Sequence, residues 1–472
     1  MRFLPRRRRA LPVDVDRCGR VQDDPPAAGS TCRGGGLRAT AAAQVSLHWV
    51  TVSGTRHYLD HAATTAVRPE AAAVYAEELT RLGNPSSLHA AGREARRRLE
   101  EAREQLAAAL GAEPAEVLFT SGGTEADNLA VKGAFWAGRG ADPRRTRLAI
   151  SAVEHHAVLE AGSWLAAHDG AALDVLGVGD DGVLDIAALE RHVAAHGQET
   201  ALVSVMWANN ETGVLQPVER VVTLAHAVGV PVHSDAVQAV GHVTVRFDAS
   251  GLDALSLSGH KLGAPVGTGA LLARRGLALA PVEHGGGQER GVRSGTLAVA
   301  GARALALAVS AAVAEHEAEA VRLRELRGRL VAAALAVPGV HLTGPADDAA
   351  RLPGTTHLTV EGADADALLF GLDMAGIDAS SGSACQAGVH EASHVLLAMG
   401  HTEEQARSAV RFSLGRTTTA ADVDAAVAVL AGVVENARRA HATRRTASRP
   451  VVVAAAGTPA GRGQAVRDAE AR

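Results

Sequence analysis

Between about residues 69 and 275 the chain alternates short apolar, β-branched runs with longer stretches whose apolar positions recur at helical spacing. The short runs predict strands over 116–120, 147–151, 173–178, 202–208, 231–235, 254–258 and 269–273. The longer patterns predict helices, among them 92–110, 124–137 and 218–228. Such alternation argues for an α/β domain, a mostly parallel sheet covered by helices on both faces. A long helical pattern over 297–337 then leads to a second unit, with a strand at 356–360 and helices at 363–375 and 420–439. The expected organisation is a large domain over 68–310 and a smaller α+β domain over 57–67 and 311–440. Pro, Gly and Ala dominate up to Ala43 without periodicity, so 1–56 reads as a disordered extension, or as sequence upstream of a start near Val50 or Val52. The Arg/Ala/Gly stretch 441–472 reads as a disordered tail.

Charge sharpens this division. Residues 1–56 hold ten Arg and four Asp, and 437–472 hold eight Arg and two acids. Taken from totals of 47 basic and 52 acidic residues, these leave 29 against 46, so the body carries −17. A body this acidic is not built to hold nucleic acid directly. No apolar run reaches the length that spans a bilayer, and Arg6–Arg9 lacks the apolar stretch of a secretory signal. Cys18 and Cys32 lie in the extension, and Cys385 alone lies in the body. One cysteine makes no internal disulfide, which suits a reducing cytoplasm.

Lysine is scarce: Lys132 and Lys261 are the only two. A lysine kept where arginine serves elsewhere points to chemistry that needs a primary amine, such as imine formation with a carbonyl; the alternative is an ordinary surface cation. Lys132 sits in the 124–137 helical pattern and fits the second reading. Lys261 closes Ser258-Gly259-His260-Lys261 at the end of a strand. Ser121-Gly122-Gly123-Thr124 also follows a strand and opens a helix, which makes it either an anion cradle or a plain helix cap. Asp235 ends an apolar strand and either pairs with a cation or caps a following helix. Asn209-Asn210-Glu211 falls at another strand end, and ligands of such sheets sit beyond those ends. His155, beside His156, is a stacking or proton-shuttling group; no metal-ligand cluster accompanies the pair, and no metal is expected. Cys385 lies among Ser, Gly and Ala in Ser380–Gly388, a setting that fits a mobile nucleophile better than a buried structural thiol. A dinucleotide fingerprint is absent after the first strand, which argues against a nucleotide-binding protein.

Taken together, the motifs resemble the cysteine desulfurases of the NifS/IscS type, class V aminotransferase-like enzymes of fold type I that depend on pyridoxal 5′-phosphate. The segments that carry the resemblance are Tyr58–Thr65, Gly83–Ser87, Thr120–Asn128, Glu154–Val158, Asn209–Gly213, His233–Gln238, Ser258–Lys261, Gly285–Arg290, Arg293–Thr296, Ser380–Cys385 and Arg411–Gly415. They run in family order over about four-fifths of the chain.

The resemblance implies a role for each position. Lys261 would carry the Schiff base, and Asp235 would pair with the pyridine nitrogen. Gln238 and Asn210 would lie near the phenolic oxygen, Asn210 also near substrate. His155 would stack on the ring and relay protons. Gly123, Thr124, Ser258 and His260 would cradle the phosphate, and Thr296 would reach it from the partner of a homodimer. Arg411 would clamp the carboxylate of L-cysteine, where the plainer reading is a structural ion pair. Cys385 would take sulfur as a persulfide, releasing alanine, and its spacing to Arg411 matches the subgroup with a longer loop. An acceptor protein, either an iron–sulfur scaffold or a tRNA-thiolating enzyme, would receive the sulfur. Rival readings are a selenocysteine lyase or another lyase using the same cofactor, and a catalytically silent scaffold. His61 departs from the family pattern and leaves the substrate entrance open.

Overall fold

A computed structural model describes residues 55–383 and 392–447. Its centre is a seven-stranded sheet in the order Val117–Thr120, Gly269–Ala273, Ala254–Ser258, Val232–Asp235, Thr200–Ser204, Arg147–Ser151 and Ala172–Leu176. Gly269–Ala273 runs antiparallel to both neighbours, and the other pairings are parallel. Most strands are buried along their whole length because helices cover both faces. In the first strand Val117 and Phe119 join the larger core, while Leu118 joins a cluster on the opposite face. Helices Gly123–Ala141 and His156–Asp169 cover that second face. Ala90–Leu110, Val218–His226 and the first half of Val299–Leu335 cover the first. Ala172–Leu176 is the sheet edge and correspondingly half-exposed.

The strand expected over 202–208 is Thr200–Ser204, although the Val205 and Trp207 amides still donate to the His233 and Asp235 carbonyls. Val299–Leu335 corrects one expectation. Among the described residues it is the one helix with an 18-residue window apolar enough, by composition, to cross a membrane. Here that apolar surface packs against helices Pro69–Leu79 and Ala90–Leu110, and Arg303, Arg322 and Arg327 project from it into ion pairs. It is a core helix.

A second core gathers around a three-stranded antiparallel sheet, with Thr355–Val360 between Val340–Leu342 and Ala409–Ser413. Helix Ala365–Met374 and the terminal helix cover it, and Leu59 inserts from the N-terminal side. The terminal helix is Ala420–Ala447, longer than the pattern over 420–439. Arg438 fastens it by donating to the carbonyls of Glu361 and Pro338. The short strand His57–Tyr58 pairs in parallel with Ile377–Asp378, and Arg56 bridges Asp373 and Asp378.

Candidate active site

At the carboxyl ends of the central strands lies a cavity of about 650 Å³. Gly123, Thr124, His155, Asn210, Asp235, Gln238, Ser258, His260, Lys261 and Arg411 all line it. Chain positions almost 300 residues apart therefore converge on one space. Thr296 does not line the cavity of its own chain; it is exposed. Cys385 lies outside the described residues, but Ser380–Ser383 before it and His394 after it line the wall.

The strand Val117–Thr120 delivers its chain end to helix Gly123–Ala141, whose first turn no side chain caps. Its free N–H groups make an anion-binding terminus. Close packing demands glycine there: a Cβ on Gly123 would come within 2.7 Å of Val237 Cγ2. Ser258 and His260 approach from the end of the strand Ala254–Ser258, two places along the sheet, and His260 Nδ1 lies 3.3 Å from Thr64 Oγ1. Burial, then the Lys261 charge, lowers the His260 pKa to about 4.

Lys261 stands in a single 3₁₀ turn, Gly259–Lys261. Its Nζ donates to the carbonyls of Ala62 (2.5 Å) and Ala63 (2.8 Å). Burial, helped by Arg411, brings its pKa down to about 8, with Asp60 and Asp235 opposing. A fair fraction of neutral amine is thus present near neutrality. Lys132, by contrast, lies with Nζ 4.5 Å from the centre of the Trp164 ring, a cation–π contact away from this chemistry.

Asp235 ends its strand with Oδ1 accepting from the Val237 amide at 2.8 Å. No helix follows it, so it turns the chain without capping one. Burial raises its pKa to about 6, although the Val237 amide and Lys261 favour the anion. Gln238 donates from Nε2 to the Ala62 carbonyl at 3.0 Å, sharing that acceptor with Lys261. His155 caps helix His156–Asp169, its Nδ1 accepting from the Ala157 amide at 3.1 Å. Burial, then Lys261, lowers its pKa to about 4. The ring is neutral imidazole with its proton on Nε2.

Arg411 occupies the strand Ala409–Ser413 and is almost fully buried. Nη1 donates to the Asn210 carbonyl and Nη2 to Asp60 Oδ1, both at 2.7 Å, while the buried Nε has no partner among the described residues. The ion pair read as the plainer alternative therefore exists, on the wall of the cavity. The Arg411 carbonyl also accepts from the Ser380 amide at 3.1 Å, which ties the start of the cysteine segment to the same strand. On the far side Ser393 Oγ donates to the buried Glu211 at 2.5 Å, and His394 Nε2 lies 3.0 Å from the Glu154 carbonyl.

Sequence reasoning gave no individual role to Asp60, Asp127, His156, Glu211 or His394, all of which line the cavity. All but His394 stood inside quoted motifs, but nothing local gave their side chains a purpose. His61 does not line the cavity. It is buried against Gly415, with Nδ1 2.8 Å from Thr65 Oγ1.

Residues 57–426 match the family model described as aminotransferase class-V. An "IscS-like cysteine desulfurase" of Mycobacterium tuberculosis is 52% identical over 393 residues, covering 83% of this chain and 100% of that protein. A "cysteine desulfurase" of Gluconacetobacter diazotrophicus is 44% identical, covering 81% and 94%. Among solved structures, a "NifS-like protein" superposes with a TM-score of 0.74 at 33% identity, covering 81% of this chain and 100% of that one.

Proposed function

The chain belongs to the class-V aminotransferase family, among its cysteine desulfurases, and from that premise we propose that it removes sulfur from L-cysteine, yielding L-alanine and a persulfide on Cys385. One observation carries the reading: Lys261, Asp235, Arg411 and both ends of the Cys385 segment face a single cavity.

Pyridoxal 5′-phosphate fits this cavity by the chemistry of its walls. The uncapped helix terminus at Gly123 and Thr124, with Ser258 and His260, suits the phosphate. Asp235, a carboxyl whose pKa burial raises, suits a protonated ring nitrogen. His155 offers a neutral ring for stacking, and Gln238 and Asn210 offer groups to the phenolic oxygen. When bound, the cofactor supplies an aldehyde that condenses with amines and a ring that withdraws electrons from the substrate α-carbon.

The remaining steps belong to the chain's own residues. Lys261 would hold the cofactor, and its amine would move the proton at the substrate Cα. Its pKa of about 8 equips it to act as base. Arg411 orients the substrate by its carboxylate, with Asp60 and the Asn210 carbonyl fixing the guanidinium plane. The Cys385 thiolate attacks the substrate sulfur, so that an S–S bond forms as the Cβ–S bond breaks and its electron pair stays with the carbon fragment that becomes alanine; an acceptor protein, an iron–sulfur scaffold or a tRNA-thiolating enzyme, then takes the outer sulfur. Exposed Thr296 belongs with a homodimer, in which it would reach the partner's phosphate site. A single body cysteine, which makes no internal disulfide, supports a reducing cytoplasm as the setting.

The test incubates the protein with cysteine and measures alanine and sulfide. Lys261→Ala should abolish both, and Cys385→Ala should lose persulfide transfer while keeping the cofactor colour. Wild-type protein that neither binds the cofactor nor yields alanine would refute the reading.

A further inference from the structure

The turn Asn209–Gly213 does more than receive Arg411. Asn209 Oδ1 accepts from the amides of Glu211 and Thr212, at 2.9 and 2.8 Å, and its Nδ2 donates to the Val153 carbonyl at 3.0 Å, so the turn is braced from within. From this turn the Asn210 carbonyl takes Arg411, and Glu211, 2% exposed, lines the cavity beside it. Among the described residues the Glu211 side chain has no ion-pair partner; a hydroxyl serves it instead. A buried carboxyl without a paired cation is costly, and the proposed reaction gives this one no task.

Both chain ends that flank the Cys385 segment meet on Glu211. On the near side Gly382 rests against its stem: a Cβ there would come 3.2 Å from Glu211 Cβ and 3.3 Å from its Cγ, and the backbone φ of 87° also calls for glycine. The Gly382 amide is held in turn by Ser380 Oγ at 3.1 Å. On the far side Ser393 Oγ donates to Glu211 Oε2 at 2.5 Å and accepts from the Leu396 amide as cap of helix His394–Ala398. Gly382 stands three residues before Cys385, and Ser393 eight after it. Linked Cα atoms are about 3.8 Å apart, so from Gly382 the chain carries Cys385 no further than about 11 Å. The near end therefore sets the reach of the thiol, and the far end returns the chain to the same carboxyl.

We propose that Glu211 is a positioning residue for sulfur transfer: it holds the two ends of the Cys385 segment, Gly382 by packing and Ser393 by a hydrogen bond, and so sets the range from which the thiolate meets the substrate sulfur. The same turn fixes the substrate clamp through the Asn210 carbonyl, so nucleophile and substrate are placed from one braced piece of backbone. In the step it serves, the S–S bond forms as the substrate Cβ–S bond breaks, and that electron pair stays with the carbon fragment. Glu211 makes and breaks no bond; it raises the effective concentration of thiolate at the sulfur. The inference rests on the reading of the cavity as a cysteine desulfurase site.

Single-turnover persulfide formation tests it. Cofactor-loaded protein is mixed with L-cysteine, the persulfide on Cys385 is counted by alkylation and peptide mapping, and cysteine binding is followed separately by the change in cofactor absorbance. Glu211→Ala should slow persulfide formation about tenfold or more while the dissociation constant for cysteine stays within about threefold. Glu211→Gln keeps both the stem and an oxygen that accepts from Ser393, so its rate should stay within about threefold of wild type. Ser393→Ala removes one hydroxyl and should slow the same step at least about threefold, which carries the test should Glu211→Ala not fold. An unchanged rate in either alanine variant, cysteine binding lost in step with the rate, or Glu211→Gln as slow as Glu211→Ala would overturn the proposal. A wild type that forms no persulfide would overturn the underlying reading instead, and wild type alone reveals that case.

Discussion

Arg411 and Asp60, 351 positions apart in sequence, meet as a 2.7 Å ion pair on the wall of the cavity. With the Asn210 carbonyl on Nη1, the pair fixes the plane of the guanidinium, whose buried Nε has no partner among the described residues. A substrate carboxylate arriving there would gain charge-assisted hydrogen bonds worth about 1.5–3 kcal/mol each. Arg411→Lys keeps the charge but loses the fork. It should raise KM for cysteine by about 10- to 100-fold, and steady-state kinetics at several cysteine concentrations checks this. An unchanged KM would move carboxylate binding elsewhere.

Lys261 gives a pH prediction. Its folded pKa of about 8 lies below the ordinary 10.5. Below pH 8 the folded state carries the full cost of a buried charge, and the cost fades as pH rises from 8 to 10.5. Cofactor-free Lys261→Met should therefore unfold at higher denaturant than wild type at pH 7, with the gap closing by pH 10.5. It should also lose all alanine production. Equal midpoints at pH 7 would show that the amine is not desolvated.

His155 does two jobs that substitutions can separate. As helix cap it contributes about 1 kcal/mol; as a ring it faces the cavity. His155→Ala should lower stability by about that amount and weaken cofactor binding together. His155→Asn restores a cap acceptor without the ring, so stability should recover while cofactor affinity stays low. Parallel thermal unfolding and cofactor titration of both variants distinguish the roles.

Away from the cavity, Glu289 is the most exacting structural residue. It takes both arms of Arg103, at 2.6 and 2.9 Å, and the Phe119 amide at 2.8 Å, all buried. To reach them, Glu289 and Arg290 adopt left-handed backbone angles, φ 42° and 59°. Glu289→Ala removes the buried counter-ion of Arg103, leaving it the half-exposed Glu100 and the Val117 carbonyl, and should cost about 3 kcal/mol in denaturant unfolding. Arg290→Gly relieves strain and should gain about 1 kcal/mol. A loss of under 1 kcal/mol in the first variant would mean that Arg103 finds water.

Sequence alone determined the succession of strands in the seven-stranded sheet and the identity of most cavity residues. The reason is physical: strand ends in a parallel sheet point one way, so Ser121–Thr124, Asn210, Asp235 and Lys261, each read at a strand end, had to share an edge. Tertiary structure alone decided what those groups are chemically. Burial, which no local pattern encodes, brings Lys261 down and pushes Asp235 up. Asp60 joins Arg411 because two distant strand ends were folded against each other. Asp127 became a buried acid because its helix lies across His233. Spacing along a chain fixes direction and face; only packing fixes distance and dielectric.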